Sequence, residues 1–360
     1  MKRTRGRGVR VETLTDLDRR LARGAQQLSG WRLHALDLTE RSGALLARDL
    51  SGASFLGCTF APGAAERVEA AGALVLPAIG GVPVDVYRGG LYTAAELYDA
   101  TPYAASLDAS AYAWSQEEPG QDATLARALH DHAIDHALLA WTSGRRLVGV
   151  MGGHSLVRGE PTYADAARLG AGLGRTHVVA TGGGPGAMEA GNLGARLAQH
   201  PEGALAEAVA LLATAPSYHP SVDAWVDAAR AVLDRFGEGC ESLSIPTWHY
   251  GHEPANLFAT AIAKYFRNST REAILLEICD AGIVFLPGAG GTVQEIFQDA
   301  CENYYADESS VAPMVLVGRD YWTDTVPAWP LLEKLSLGRA MEGHVHLVDT
   351  VDEAVAVVHR

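Results

Sequence analysis

A glutamate lies three residues inside a predicted helix that follows a glycine-rich turn, and this combination could do chemistry. The apolar run 281–286 ends in a proline, four small residues follow, and we expect a helix to begin at Thr292. Glycines lack a side chain, so an anion could approach the backbone, and the N–H groups at the helix start would point at it. Glu295 would then stand beside a bound phosphate. The glycines concerned are Gly288, Gly290 and Gly291.

The same glutamate also fits a purely structural pattern. Thr292-x-x-Glu295 has the spacing of a capping box, in which the glutamate side chain accepts a hydrogen bond from the N-cap amide. A capping carboxylate and a ligand-binding carboxylate would occupy nearly the same place. Both interpretations of Glu295 therefore stay open at this point.

Arg271 is the second candidate for chemistry. Ser269-x-x-Glu272 resembles a capping box at the start of another helix, which places Arg271 in the first turn. A cation there opposes the helix dipole by about 0.3–1 kcal/mol. A phosphate or a carboxylate across a cleft would favour it, and the alternative is an exposed surface arginine.

A second glycine-rich turn follows another apolar run. The segment 181–189 reads Thr-Gly-Gly-Gly-Pro-Gly-Ala-Met-Glu, and a strand end, three glycines and a proline near the first helical position predict another anion nest. Glycine triplets also occur in plain turns. Two such turns in one sheet favour a binding role for both. Its glycines are Gly182, Gly183, Gly184 and Gly186.

The elements that would position these turns are short apolar strands alternating with helices. We predict helices over 163–173 and 187–198 and strands over 146–151, 177–181, 208–214, 242–247, 282–286, 313–317 and 344–348. Continuous apolar strands alternating with helices are typical of an α/β fold with a doubly wound, Rossmann-like parallel sheet flanked by helices. Ligands in such sheets bind at the carboxyl ends of the strands, where both glycine clusters fall.

The chain divides into three parts by composition and pattern. Residues 1–10 are expected to form a flexible basic tail, and 141–360 the Rossmann-like domain that carries both glycine-rich turns. The part between them, 11–140, is predicted to be a smaller N-terminal α/β appendage of unknown role, with a helix over 123–141. Within it, 47–60 faintly echoes a five-residue repeat.

Composition excludes several classes of function. The 360 residues are 48% hydrophobic with a net charge of −14, which argues against nucleic acid as the main partner. No apolar run approaches the ~18 residues of a membrane span. Four cysteines lack paired or metal-type spacing and indicate a reduced, cytoplasmic protein. His132 and His136 are four apart, but no accompanying pattern favours a metal.

The two glycine motifs together resemble those of the LOG ("lonely guy") family of nucleoside 5′-monophosphate phosphoribohydrolases. The motifs are 181–190 and 287–295, and the resemblance covers about 145–350, with departures at Ala289 and Glu272. It is strongest to the longer bacterial branch with an extra N-terminal region. The resemblance implies an N-glycosidase that hydrolyses a nucleoside 5′-monophosphate to free base and ribose 5-phosphate. It further implies no cofactor, no metal, and a homodimer or higher homo-oligomer.

The resemblance also implies roles for particular residues. The catalytic glutamate of the family falls on Glu295 and its arginine on Arg271. The positions implied to bind phosphate or nucleotide are Gly182, Gly183, Gly184, Gly186, Glu189, Gly288, Gly290, Gly291 and Thr292.

Two other functions fit the same fold. A non-catalytic nucleotide-binding or sensing protein would need the glycine turns without turnover. A dinucleotide-dependent oxidoreductase would need Gly-x-Gly-x-x-Gly after the first strand, and 149–154 has the wrong spacing.

Overall fold

A computed structural model describes residues 8–118, 120–249 and 253–360. The chain separates into two compact units, Met1–Gly89 and Gly90–Arg360. Most of the predicted basic tail lies outside the described residues. Val9 and Arg10 lie inside a strand, so the tail expected over 1–10 does not extend to them.

The first unit is a stack of four short parallel strands joined by helices. The sheet order is β1-β2-β3-β4, and every neighbouring pair is parallel. Its strands are β1 (Val9–Val11), β2 (Trp31–His34), β3 (Ser54–Leu56) and β4 (Leu74–Leu76). Its helices are α1 (Leu14–Ala22), α2 (Ser42–Leu46) and α3 (Ala64–Ala70). The predicted α/β character of this region is confirmed.

The stack is a repeat of about 22 residues. Val9 pairs with Trp31, whose strand neighbour Arg32 pairs with Ser54, a spacing of 22 residues in both cases. Leu-Ser-Gly occurs at 28–30 and again at 50–52, with both leucines fully buried and both glycines at positive φ. Stacked β-strands with one helix per turn are the architecture of a solenoid. The faint five-residue echo over 47–60 is not the period of this stack.

The second unit contains a seven-stranded parallel sheet. Its order is β11-β10-β9-β5-β6-β7-β8. The strands are β5 (Leu147–Met151), β6 (Val178–Thr181), β7 (Ser242–Ser244), β8 (Ala261–Ile262), β9 (Ile283–Phe285), β10 (Met314–Val317) and β11 (Val345–Val348). The chain builds one half outward from β5, returns to β9 on its other side, and builds the second half. This confirms the predicted doubly wound sheet and puts a switch point between β5 and β9.

Helices cover the sheet of the second unit. They are α4 (Ala94–Leu97), α5 (Leu107–Gln116), α6 (Gln121–Thr142), α7 (Pro161–Leu173), α8 (Ala187–Arg196), α9 (Ala204–Leu212), α10 (Val222–Phe236), α11 (Asn268–Glu277), α12 (Gly290–Tyr305), α13 (Trp329–Ser336) and α14 (Val351–Val358). Helices α7 and α8 lie in very close contact, because a Cβ at Gly194 would be only 1.9 Å from the carbonyl oxygen of Ala167. In the described part of the chain, no helix is long and apolar enough to cross a membrane.

Two predictions about the second unit differ from the structure. The strand expected over 208–214 is wrong, because this stretch belongs largely to α9, an alanine- and leucine-rich segment with strong helix propensity. The predicted boundary after residue 140 differs from the division at Gly89. The segment after Gly90 belongs to the larger unit because its side chains bond there; both carboxylate oxygens of Asp131 accept backbone N–H groups, from Phe266 and Arg267.

Candidate functional site

The switch point brings two loops together at the carboxyl ends of β5 and β9. The backbone N–H of Gly153, after β5, donates to the carbonyl oxygen of Pro287, after β9, at 3.1 Å. A Cβ at Gly153 would also come within 3.3 Å of that oxygen. The glycine-rich turn of the second motif therefore starts directly at the crevice where doubly wound sheets bind ligands.

The turn after β9 leaves the start of α12 open. The helix begins at Gly290, two residues before the predicted start, and no side chain of the described residues caps it. The first N–H groups of a helix have no partner within the helix. A Cβ added at Gly290 or Gly291 would meet no atom of residues 8–118, 120–249 or 253–360 within 4 Å, so these residues leave space above the backbone at both positions. Uncapped N–H groups and open space at a sixteen-residue helix form a cradle for an anion.

Gly288 serves a different purpose from the two glycines that follow it. A Cβ at Gly288 would lie 2.1 Å from the hydroxyl oxygen of Thr292, so the glycine makes room for the threonine side chain. Thr292 is buried, and its hydroxyl lies against the turn. The structure thus places Thr292 beside the cradle from within the protein.

Arg271 and Glu295 are brought together from two helices. Nη1 of Arg271, on α11, lies 3.9 Å from Oε1 of Glu295, on α12. Their side chains are 10% and 14% exposed. The capping-box interpretation of Glu295 is wrong, because α12 begins at Gly290 and Thr292 therefore lies inside the helix instead of at its N-cap. The alternative of a surface arginine is also wrong, since Arg271 is buried.

The surroundings of Glu295 raise its pKa. Burial raises it most, Arg271 lowers it and the nearby Glu272 raises it, and together they bring the pKa to about 7. An acid with a pKa near neutral pH can both give and accept a proton under physiological conditions. Such a carboxyl group in a crevice is a candidate for acid–base chemistry.

Arg271 has an unused donor. Its Nη2 donates to Oδ1 of Asn268 at 3.0 Å, whereas its buried Nε–H finds no acceptor among the described residues. The capping box predicted at Ser269 is wrong, because α11 begins at Asn268 without a side-chain cap. A Cβ at Gly182 would lie 3.5 Å from Nη1, so the guanidinium packs next to the first glycine motif; the atom that needs the missing side chain at Gly182 is Sδ of Met188, 2.8 Å from that Cβ position.

The first glycine motif is buried. Residues 182–186 all lie in the interior, and the N–H of Gly183 donates to the hydroxyl of Thr181 at 3.0 Å. Gly186 has φ +72°, and the N–H of Ala187, at the start of α8, donates to the carbonyl oxygen of Gly153 at 3.1 Å. Two of its N–H groups are therefore already occupied. Direct phosphate binding by this motif stays a prediction.

Glu189 is part of a buried ion pair. Arg158 donates to both of its carboxylate oxygens, through Nε at 2.9 Å and through Nη2, and the Tyr163 hydroxyl donates at 3.0 Å. The side chains of Arg158 and Glu189 are each 1% exposed. The indole of Trp225 covers the guanidinium at 4.3 Å. The carboxylate has protein partners for both oxygens, so nucleotide binding by Glu189 stays a prediction.

Three residues around Arg271 escaped the sequence analysis as functional groups. Asn268 and Gln294 donate to Oε1 and Oε2 of Glu272, respectively. The available signal was the spacing of Asn268, Arg271 and Glu272 at i, i+3 and i+4, which puts them on one helix face. Gln294 offered no signal, since its partner lies 22 residues earlier.

A cavity of about 770 Å³ opens beside these residues. Glu272 and Gln294 form part of its wall, with α6 and the start of α11 opposite. The volume is in the range of small-molecule sites. Its other lining residues are Thr124, Arg127, Ala128, Asp131, His132, Asp135, His249, Phe266, Arg267, Asn268, Ser269 and Thr270.

Metal-binding side chains do not cluster in the described part of the chain. Within 8–118, 120–249 and 253–360, no three His, Cys, Asp or Glu side chains are placed to hold a metal ion. His132 and His136 make an edge-to-face ring contact at 4.5 Å.

Comparison with known proteins finds structural likeness at low sequence identity. No family model matches the chain, and no curated protein matches it. The molybdenum cofactor binding protein from the phototrophic bacterium Rippkaea orientalis is 16% identical, with 60% of this chain and 96% of that chain covered and a TM-score of 0.37. The structure of TM1055, a structural genomics target, is 18% identical, with 59% and 98% covered and a TM-score of 0.38.

A third solved structure has a similar relation to this chain. The molybdenum cofactor carrier protein from Chlamydomonas reinhardtii is 17% identical, with 60% of this chain and 96% of that chain covered and a TM-score of 0.37.

Proposed function

We propose that this protein hydrolyses the N-glycosidic bond of a nucleoside 5′-monophosphate to give free base and ribose 5-phosphate. The observation that carries the proposal is the juxtaposition of an open helix cradle, Arg271 and the proton-holding Glu295. These groups lie at the switch point of a doubly wound sheet. The motif resemblance supports the same reaction.

The phosphate would bind at the start of α12. The free N–H groups at Gly290 and Gly291 would donate to phosphate oxygens, and the hydroxyl of Thr292 would add a donor. The unused Nε–H of Arg271 offers a charge-assisted bond to the same group. Binding energy from the unreactive phosphate would fix the ribose, and with it the glycosidic carbon, next to Glu295.

The reaction breaks the bond between C1′ and the base nitrogen and forms a bond from C1′ to a water oxygen. Positive charge develops on the ribose ring as the base leaves, and the Glu295 carboxylate would stabilise it. The same carboxylate would take the proton from the attacking water. A pKa of about 7 permits Glu295 to release that proton afterwards, so that the departing base gains one directly or through solvent.

The base would occupy the cavity beside Glu272. At about 770 Å³ it accommodates a nucleobase, and its wall carries both donors and acceptors.

The test is chromatography of purified protein incubated with AMP, GMP, CMP, UMP and IMP. Release of base and ribose 5-phosphate is expected from at least one of them, and Glu295→Gln should reduce it by about 10²–10⁴-fold while nucleotide binding persists. Glu302→Gln is the matched control, because Glu302 is an exposed glutamate two turns further along α12. Its turnover should stay within twofold of the wild-type value.

The cradle has its own test. Gly290→Ala adds a methyl group where no atom of the part of the chain that the structure describes lies within 4 Å, so we expect stability to change little and nucleotide affinity to fall by about tenfold or more. Turnover by Glu295→Gln at the wild-type rate would refute the assignment. Intact nucleotide recovered from the wild-type protein after long incubation would favour the non-catalytic binding or sensing alternative instead.

Oligomeric state and location accompany the proposal as predictions. The motif resemblance supports a homodimer or higher homo-oligomer, and the cysteine pattern supports a cytoplasmic protein. The proposed partner is a small nucleotide, and the net charge of −14 argues against nucleic acid in that place. The proposed reaction needs no cofactor.

A further inference from the structure

One guanidinium in the site faces two carboxylates. Nη1 of Arg271 lies 3.9 Å from Glu295, and Nη2 lies 3.7 Å from Oε1 of Glu272. Both separations exceed hydrogen-bond distance, so Arg271 forms a close pair with neither acid. Its positive charge is therefore divided between them.

Glu272 is held in this position by neutral donors. The amide of Asn268 donates to Oε1 at 2.8 Å, and the amide of Gln294 donates to Oε2. The side chain of Glu272 is 7% exposed. A carboxylate fixed by two amides beside an arginine is a built feature of the site, because burying a charge without such partners would be costly.

We propose that Glu272 is a positioning residue whose negative charge, acting across the shared Arg271, weakens the hold of that guanidinium on the Glu295 carboxylate and makes this carboxylate a stronger base. The assignment rests on the proposed function for its role in turnover, in which the Glu295 carboxylate takes a proton from water. Without Glu272, Arg271 would act on Glu295 alone and make its carboxylate a weaker proton acceptor.

The charged groups that face Glu295 agree with a positive charge on Arg271 that is shared between Glu295 and Glu272. Burial raises the pKa of Glu295 most, Arg271 lowers it and Glu272 raises it; both charged groups come from α11. On α12 itself, Asp299 has its pKa raised to about 8 by burial and by Glu302. In the part of the chain that the structure describes, Arg271 and Glu272 are thus the charged groups that shift the pKa of Glu295.

The experiment is a titration of Glu295 that needs no turnover. Protein labelled with ¹³C at the glutamate side-chain carboxyl carbons is titrated from pH 4 to 9, and the Glu295 signal is assigned by its loss in Glu295→Gln. The wild-type midpoint should lie near 7. In Glu272→Gln it should fall by about one pH unit, the order of magnitude for removing one charge on the far side of Arg271 in a partly screened site.

Two further variants separate charge from packing. Glu272→Asp keeps the charge and should leave the midpoint within about 0.3 pH units, and so should Glu302→Gln. Glu272→Ala removes the charge without an amide and should shift the midpoint downward, which keeps the test available if Glu272→Gln does not fold. An unchanged or raised midpoint in the neutral variants would overturn the proposal. Loss of the proposed function would appear separately, as wild-type protein that titrates as expected but releases no base.

Discussion

Glu189→Gln should destabilise the protein far more than it weakens nucleotide binding. The variant removes a charge that faces Arg158 in the interior, where both side chains are 1% exposed. Arg158 would keep its bonds from Nη1 to the carbonyl oxygens of Ala215 and Trp225, at 3.2 Å and 2.9 Å. The positive charge of Arg158 would no longer be paired with a carboxylate.

The expected cost follows from that burial. Removing one partner of a buried pair leaves an uncompensated charge and typically costs about 3–5 kcal/mol. At about 2–4 °C per kcal/mol for a large unit, the melting temperature should fall by about 10 °C. The amide of glutamine still accepts from the Tyr163 hydroxyl, so the loss belongs mainly to the ion pair.

The assay compares thermal unfolding and nucleotide affinity in two matched variants. Arg145 and Glu241 form a bidentate pair of the same type at 2.9 Å and 3.0 Å, but their side chains are 30% and 55% exposed. Glu241→Gln should therefore cost less than about 1 kcal/mol. A Glu189→Gln variant that melts like the wild type but no longer binds nucleotide would refute this reasoning and make Glu189 a ligand-binding residue.

Other perturbations test the site and the two units. Because the pKa of Glu295 is about 7 in the folded protein against an ordinary 4.5, its proton stabilises the native state most below pH 4.5, and that stabilisation is lost as pH rises to 7. Between pH 4 and pH 8 the free energy of unfolding of the wild type should therefore fall by about 3 kcal/mol more than that of Glu295→Gln, measured by urea unfolding. The same pH dependence in both proteins would contradict this. Gly194→Ala should cost about 3 kcal/mol by the same measurement, because its methyl group would collide with Ala167, and wild-type stability would refute the close helix contact. Phe55→Ala should cost about 3–5 kcal/mol, seen as faster hydrogen exchange over residues 8–89, whereas Leu74→Ala, at a residue 53% exposed, should change exchange little.

The location of the site could be predicted from local sequence. Apolar strands that end in glycine clusters mark the carboxyl edge of a parallel sheet, and the structure has both clusters after β6 and β9 as expected. For Arg271 the sequence predicted only that a phosphate or a carboxylate across a cleft would be its partner, and it did not identify Glu295 as that carboxylate. It depends on how α11 packs against α12, which helical periodicity alone does not specify.

The errors arose where local patterns resemble one another. The stretch 208–214 is apolar enough for a strand, but its alanines and leucines have higher helix propensity, and it lies in α9. The solenoid was missed because a period of 22 residues exceeds any helical or strand window. Its signal was present in the sequence as Leu-Ser-Gly repeated at Leu28 and Leu50.

Glycines in the two motifs have two distinct physical purposes, and sequence alone does not separate them. Gly182 and Gly288 are small because protein side chains, those of Met188 and Thr292, need the space. Gly290 and Gly291 are small where the described residues place no atom within 4 Å of a Cβ. Alanine at the first pair should therefore disturb the folded site before any ligand arrives, whereas alanine at the second pair should matter only when an anion binds. A glycine motif of this kind thus contains some glycines that make room for protein side chains and others that leave space for a bound anion.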